Sequence, residues 1–254
     1  MQRSNVSLAA VSMMLVGALA AAPPAAHAQS RDGFLFRRPV GTLAIRGGYD
    51  RALAGSDVFR DLTNRLTLAR GDFGAPSVGA DLAVTVTDRI DLVLSSGFSR
   101  RTADSEYRRF VAEDDSPIAQ STTFTRVPVV ATARYYLAPR GARVGNFAWV
   151  PARVAPYVGA GAGGTWYRLR QEGEFLNESA LRTFLGGVES SGWAATGVAS
   201  AGVDVSLAPR FLVTGEARYS LARARLQSGD GGFNGYAPAD LSGIALTAGV
   251  AVRF

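Results

Sequence analysis

The 254-residue chain has no cysteine and no lysine, so all 27 of its basic residues are arginine. Its one histidine, His27, and its three methionines, Met1, Met13 and Met14, all fall within the first 28 residues. Beyond that segment no Cys, His, Lys or Met occurs. These absences exclude structural disulfides, thiol chemistry, Cys/His metal sites, Schiff-base lysines and any dyad that needs imidazole. What remains is rich in Gly (29 residues), Ala, Arg, Val and Leu, with a net charge of +6. A basic balance of this kind points towards anionic partners such as nucleic acid, phospholipid or lipopolysaccharide.

Residues 1–28 have the layout of a cleaved secretory signal. Arg3 supplies the positive start, residues 6–22 form an apolar, Ala-rich run, and Ala26-His27-Ala28 is a small-x-small cleavage site before Gln29. The alternative is a membrane anchor, since a run of about 17 residues is the lower limit for spanning. Pro23-Pro24 and the Ala-x-Ala pattern follow the run directly and favour cleavage. No later apolar run is long enough for a membrane helix.

The rest of the chain alternates. In 242–254 one parity reads Ile244, Leu246, Ala248, Val250, Val252, Phe254, and the other Gly243, Ala245, Thr247, Gly249, Ala251, Arg253. A period of two with one apolar and one small or polar face means a strand between two different environments. The pattern predicts upward strands near 40–49, 90–101, 154–170 and 211–225, and downward strands near 75–87, 121–137, 193–207 and 240–254. Tight turns at Thr87-Asp88-Arg89 and Ala208-Pro209-Arg210, with a longer connection over 139–151, mark one end. Long polar loops over 50–74, 102–120, 171–192 and 226–239 mark the other.

Short turns at one end and long loops at the other describe an all-β, eight-stranded, antiparallel, up-and-down transmembrane β-barrel. Closure is required because an open sheet edge in lipid leaves amides unpaired. In a soluble lipocalin-like barrel the apolar parity would face inward and the exterior would be charged. Here the other parity carries Gly, Thr, Ser, Arg, Asp and Glu, which suits a narrow polar lumen. Aromatics gather at strand ends: Tyr49, Phe98, Trp166, Trp193 and Tyr219 towards the loops, Tyr135, Phe211 and Phe254 towards the turns. This is the arrangement of two interfacial girdles.

Gly249-x-x-Val252-x-Phe254 at the C-terminus, Ala155-Pro156-Tyr157-Val158-Gly159-Ala160-Gly161, and Gly47-Gly48-Tyr49 resemble the small eight-stranded outer-membrane barrels. These are the transmembrane domain of outer membrane protein A and its relatives, including the protein W-like group. The resemblance covers 40–254, which leaves 29–39 as a periplasmic N-terminal segment. It implies residence in the outer membrane of a Gram-negative-type bacterium, extracellular loops, both termini periplasmic, and a final strand (Gly249, Val252, Phe254) read by the barrel-insertion machinery.

The lumen-facing parity collects Arg46, Asp81, Asp91, Arg134, Asp204, Glu216, Arg218 and Arg253. Buried charges of both signs are costly unless paired, and the planar fork of Arg can bond two carboxylates. An ion-pair plug is expected, with Gly159, Gly161 and Gly163 leaving room for long arginines; a narrow gated pore is the alternative. Arg100, Arg168, Arg170, Arg223 and Arg225 share the outward parity just above the apolar belt, where they would form a collar for lipopolysaccharide phosphates. Solvated, salt-bridged strand extensions are the competing reading.

Short amphipathic helices are expected in 56–66, behind Ser56 as N-cap, and in 177–186. Asp114-Asp115 invites a cation reading, with a solvated loop as the plainer one. Neither a cofactor nor a catalytic site is expected: outer-membrane barrel lipases, lipid A acyl-modifying enzymes and omptin proteases resemble sites built with His. The arginines are spread among turns, lumen and rim, which argues against nucleic-acid binding. The expected role is that of a monomeric structural barrel serving membrane integrity and surface contact, with a narrow passive channel for small solutes as the alternative.

Overall fold

The computed structural model describes residues 33–112, 115–177, 182–226, 233 and 235–254. The expected signal at 1–28, residues Glu113 and Asp114, and the centre of the 177–186 segment lie outside the described residues. Strand β1 (Gly41–Ala52) is followed by helix α1 (Asp57–Arg65), a 3-10 turn (Arg70–Phe73), β2 (Ala75–Thr85), β3 (Ile90–Val111) and β4 (Pro117–Tyr136). A small hairpin of β5 (Gly141–Val144) and β6 (Ala148–Pro151) leads to β7 (Val154–Asn177), β8 (Arg182–Ser206), β9 (Phe211–Ala224), β10 (Ala239–Asp240) and β11 (Gly243–Arg253).

Eight of these strands close a ring in the order β1-β2-β3-β4-β7-β8-β9-β11, and β11 pairs with β1. Every pairing is antiparallel. The register fixes the geometry. Stepping around the ring from Thr42 through Ala83, Val93, Thr132, Gly161, Val198 and Ser220 arrives at Gly243, whereas Thr42 itself pairs with Arg253. That is a stagger of about ten residues, which at usual strand rise and spacing tilts the strands by about 40° and sets a backbone radius of about 8 Å. A lumen this narrow is filled by side chains.

The outward parity is apolar and exposed: Ile45, Val78, Leu82, Leu94, Phe98, Trp193, Leu246 and Val250 are among the large side chains left uncovered. An apolar belt of that extent around a closed ring with a polar interior is the surface of a lipid-embedded barrel.

The wall is uneven. β3, β4, β7 and β8 run 22, 20, 24 and 25 residues, whereas β1, β2, β9 and β11 run 12, 11, 14 and 11. Much of the sequence expected as loop in 102–120 and 171–192 is therefore strand. The expected helix in 177–186 is also corrected, because Arg182 onward belongs to β8, with Phe184 opposite Phe175 and Gly186 opposite Gly173. A short isolated helix is marginal, whereas extending an existing ladder pairs each added backbone group.

Over 56–66 the expectation of a helix agrees with α1. Ser56 occupies its N-cap position, but its hydroxyl makes no bond to the helix and instead accepts the Asp240 amide at 3.0 Å. Val58 and Phe59 are fully buried, and Leu62 nearly so. They pack with Leu66, Leu68 and Phe73 against the inward faces of the tall wall (Phe124, Tyr167, Leu169, Ala194) and of β9 (Ala222, Ala224). The loop after β1 thus folds into the barrel mouth as an apolar cap.

Candidate functional site

Below the cap lies a polar layer built from the inward parity. Arg46 on β1 donates to Glu216 of β9 and to Asp81 of β2, both at 2.7 Å. Arg134 on β4 reaches across to Glu216 at 3.2 Å and Asp81 at 3.5 Å. Arg218 adds a 2.9 Å contact to Glu216, and the Tyr157 hydroxyl donates to the same carboxylate at 3.0 Å. Glu216 therefore accepts from three guanidinium groups and a phenol. The Arg134 guanidinium lies 4.1 Å over the Tyr157 ring, a cation–π contact that seats it. Antiparallel alternation explains the convergence, since each charge occupies an inward position of its strand.

The eight lumen residues expected from sequence divide into three groups. Arg46, Asp81, Arg134, Glu216 and Arg218 form the central cluster. Asp91 and Asp204 turn elsewhere: Asp91 pairs with Arg140 at 2.7 Å, and Asp204 accepts the Tyr136 hydroxyl at 2.9 Å. Arg253 is buried near the turn end, donating to Ser206 Oγ at 2.9 Å and to the Pro209 carbonyl at 3.4 Å. The balance of four arginines and four acids is thus not a single network.

Sequence reading missed Arg140, which lies in a connection with no parity to read. It also missed Arg126, buried and 3.1 Å from Asp50. Arg126 was legible, because it lies an even number of residues from Arg134 on one strand and so shares its face. The β7 glycines Gly161 and Gly163 also have a different reason from the one expected. A Cβ on Gly161 would stand 2.1 Å from the Ala131 carbonyl oxygen, and one on Gly163 2.2 Å from that of Val129. They permit a close approach of β4 and β7 rather than space for arginine. Gly249 and Gly243 of β11 border arginines, their Cβ positions lying 2.7 Å from Arg46 Cγ and 3.0 Å from Arg126 Nη1.

The five outward arginines are also unequal. Arg168 pairs with Glu189 at 3.1 Å, and Arg170 pairs with Glu172 and, at 3.8 Å, with Glu189. Arg100, Arg223 and Arg225 are exposed and have no carboxylate partner among the described residues. At the closing seam, the Phe254 carbonyl accepts the Val40 amide at 2.8 Å, while the Val252 and Phe254 side chains face outward. Above the mouth the Tyr236 hydroxyl donates to Asp61 of α1; burial first, and this bond second, push the phenol up to about 12. No cluster of acidic side chains suited to a metal ion occurs among the described residues.

A closed ring, a polar interior laced by ion pairs and an apolar outer belt define a small transmembrane β-barrel. No protein-family model and no curated protein matches the chain. In structure it is similar to the outer membrane protein OprG from Pseudomonas aeruginosa, at 13% identity and a TM-score of 0.48, over 87% of this chain and 99% of that one. It is similar to Neisserial surface protein A at 13% identity and a TM-score of 0.44, over 88% and 98% respectively. For Escherichia coli outer membrane protein W the identity is 18% and the TM-score 0.37, over 86% and 100%. At these values the class rests on the chain's own ring, register and belt.

Proposed function

We propose that the protein is an integral barrel of a Gram-negative-type outer membrane, with a closed lumen and a role in membrane integrity and surface contact. Its loops and tall wall face outward and both termini face the periplasm. The observation that supports this reading is the buried apolar cluster around Phe59 together with the salt-bridged Glu216 cluster beneath it, which would close the lumen twice. Reconstitution of the refolded protein into planar bilayers is expected to give no discrete conductance steps. Stable unitary openings would replace this reading with the narrow passive channel.

The outward arginines suit lipopolysaccharide phosphates, which Arg binds through two parallel hydrogen bonds. The pairing of Arg168 and Arg170 with Glu189 and Glu172 leaves Arg100, Arg223 and Arg225 as the main contributors to such a collar. Lipopolysaccharide is expected to raise the thermal stability of the wild-type barrel and to raise it less when those three are changed to Gln. An undiminished gain in the triple variant removes the collar. The last strand, with Gly249, Val252 and Phe254, is read as the segment taken up by the barrel-insertion machinery.

A further inference from the structure

A cavity of about 260 Å³ opens at the turn-side end of the barrel. It lies between the start of β1, the β2–β3 turn and the connection that carries β5 and β6. Arg38, Arg89, Arg140 and Arg253 line it, and Asp88 is the one carboxylate among the lining residues. Trp149, Pro39 and Pro139 supply an apolar wall. The N-terminal segment is held here by Leu35, whose amide and carbonyl both bond to the Trp149 backbone, at 2.8 and 2.7 Å. That pairing brings Arg38 to the cavity edge.

The charges around this space are unevenly compensated. Arg140 is engaged by Asp91 at 2.7 Å and by the Thr87 carbonyl at 3.1 Å. Arg89 reaches the Tyr135 hydroxyl at 3.5 Å. Arg253 bonds only neutral acceptors, Ser206 Oγ and the Pro209 carbonyl. Arg38 has one contact to Asp88, at 2.6 Å, and that carboxylate is 85% exposed, so water weakens the pair. The other terminal nitrogen of Arg38, Nη2, is buried without a hydrogen-bond partner among the described residues. A buried guanidinium donor without an acceptor is costly, so the Arg38 charge at the cavity edge is poorly compensated.

We propose that this cavity is a binding site for a small organic anion, its carboxylate or phosphate group held by Arg38 and Arg253 and its carbon skeleton set against Trp149. The volume falls just under the range of about 300–1,000 Å³ common for small-molecule sites. It therefore takes a compact anion and excludes a nucleotide or a polymer segment. The site is independent of the closed-lumen reading, since it lies at the opposite end from the cap.

Calorimetric titration of the refolded full chain with citrate, inorganic phosphate and glycerol, at matched ionic strength, tests the site. Saturable binding of citrate, weaker binding of phosphate and none of glycerol are expected. Arg38→Gln is expected to weaken citrate by about tenfold or more, the worth of one charge-assisted hydrogen bond. Trp149→Leu is expected to weaken citrate more than phosphate. Asp88→Asn removes the competing carboxylate and is expected to tighten citrate several-fold, which keeps the test decisive if Arg38→Gln does not fold. Absence of saturable citrate binding, phosphate binding alone, or wild-type affinity in both the Arg38→Gln and Asp88→Asn proteins overturns the assignment.

Discussion

The cap and the ion-pair cluster fill successive stretches of the same lumen with opposite chemistry. In the cap, Phe59, Phe73 and Phe124 meet edge to face, with centroids 4.8 to 6.4 Å apart. In the cluster, Glu216 takes bonds from β1, β4, β7 and its own strand, so one side chain ties distant parts of the ring together. Apolar contact is non-directional and tolerates shape changes, whereas a desolvated charge depends on each partner being present. The cap belongs to the connection between β1 and β2 and packs onto the wall. The cluster belongs to the wall, since Arg46, Asp81 and Glu216 stand on strands at or beside the closing seam between β1 and β11.

The most severe test of that contrast is Glu216→Gln. It leaves Arg46, Arg134 and Arg218 with Asp81 as the only carboxylate in the cluster. Loss of one partner from a buried ion network costs about 3–5 kcal/mol, and this should appear as a lower urea midpoint for the whole barrel. A loss well below 1 kcal/mol would show that the cluster is not a structural tie. Phe59→Ala probes the other layer. Truncating a buried Phe costs about 3–5 kcal/mol where it is felt, but here the loss should stay within the cap. Hydrogen exchange of α1 amides should accelerate while the barrel midpoint moves far less than in Glu216→Gln. Equal midpoint shifts in the two variants would mean that cap and wall unfold as one unit.

The two layers also differ in how far sequence revealed them. Strand parity was enough to turn Arg46, Asp81, Arg134, Glu216 and Arg218 inward, because on a strand with one lipid face the period of two leaves no choice. It did not say who bonds whom. That depends on stagger around the ring, which parity does not encode, and so Asp91 and Asp204 were grouped with a cluster they do not join. The amphipathic spacing of Val58, Phe59 and Leu62 revealed α1, but not that its apolar side turns down into the lumen. The heights of β7 and β8 were hidden for another reason. Polar and glycine-rich stretches above the membrane carry no apolar face, so their alternation faded just where the ladder continued through Phe175 and Phe184. Arg140 and Arg38 gave no signal because each lies outside a strand, where there is no parity to read.

The smallest expected effect lies where the cap meets the loop above it. Tyr236 donates its phenolic proton to Asp61, one turn along α1 from Asp57. With its folded-state value pushed up to about 12, Tyr236 stays protonated in the folded protein while the unfolded chain releases that proton near pH 10. The unfolded state then binds fewer protons, so the contribution is fully present below about pH 10 and fades as pH rises towards about 12. Because the side chain is only half-buried, solvent screens the contact and the change is modest. Exchange of α1 amides, corrected for the intrinsic pH dependence, should therefore rise more steeply between pH 10 and 12 in wild type than in Tyr236→Phe. Parallel curves for the two proteins would show that this hydrogen bond does not help hold the cap in place.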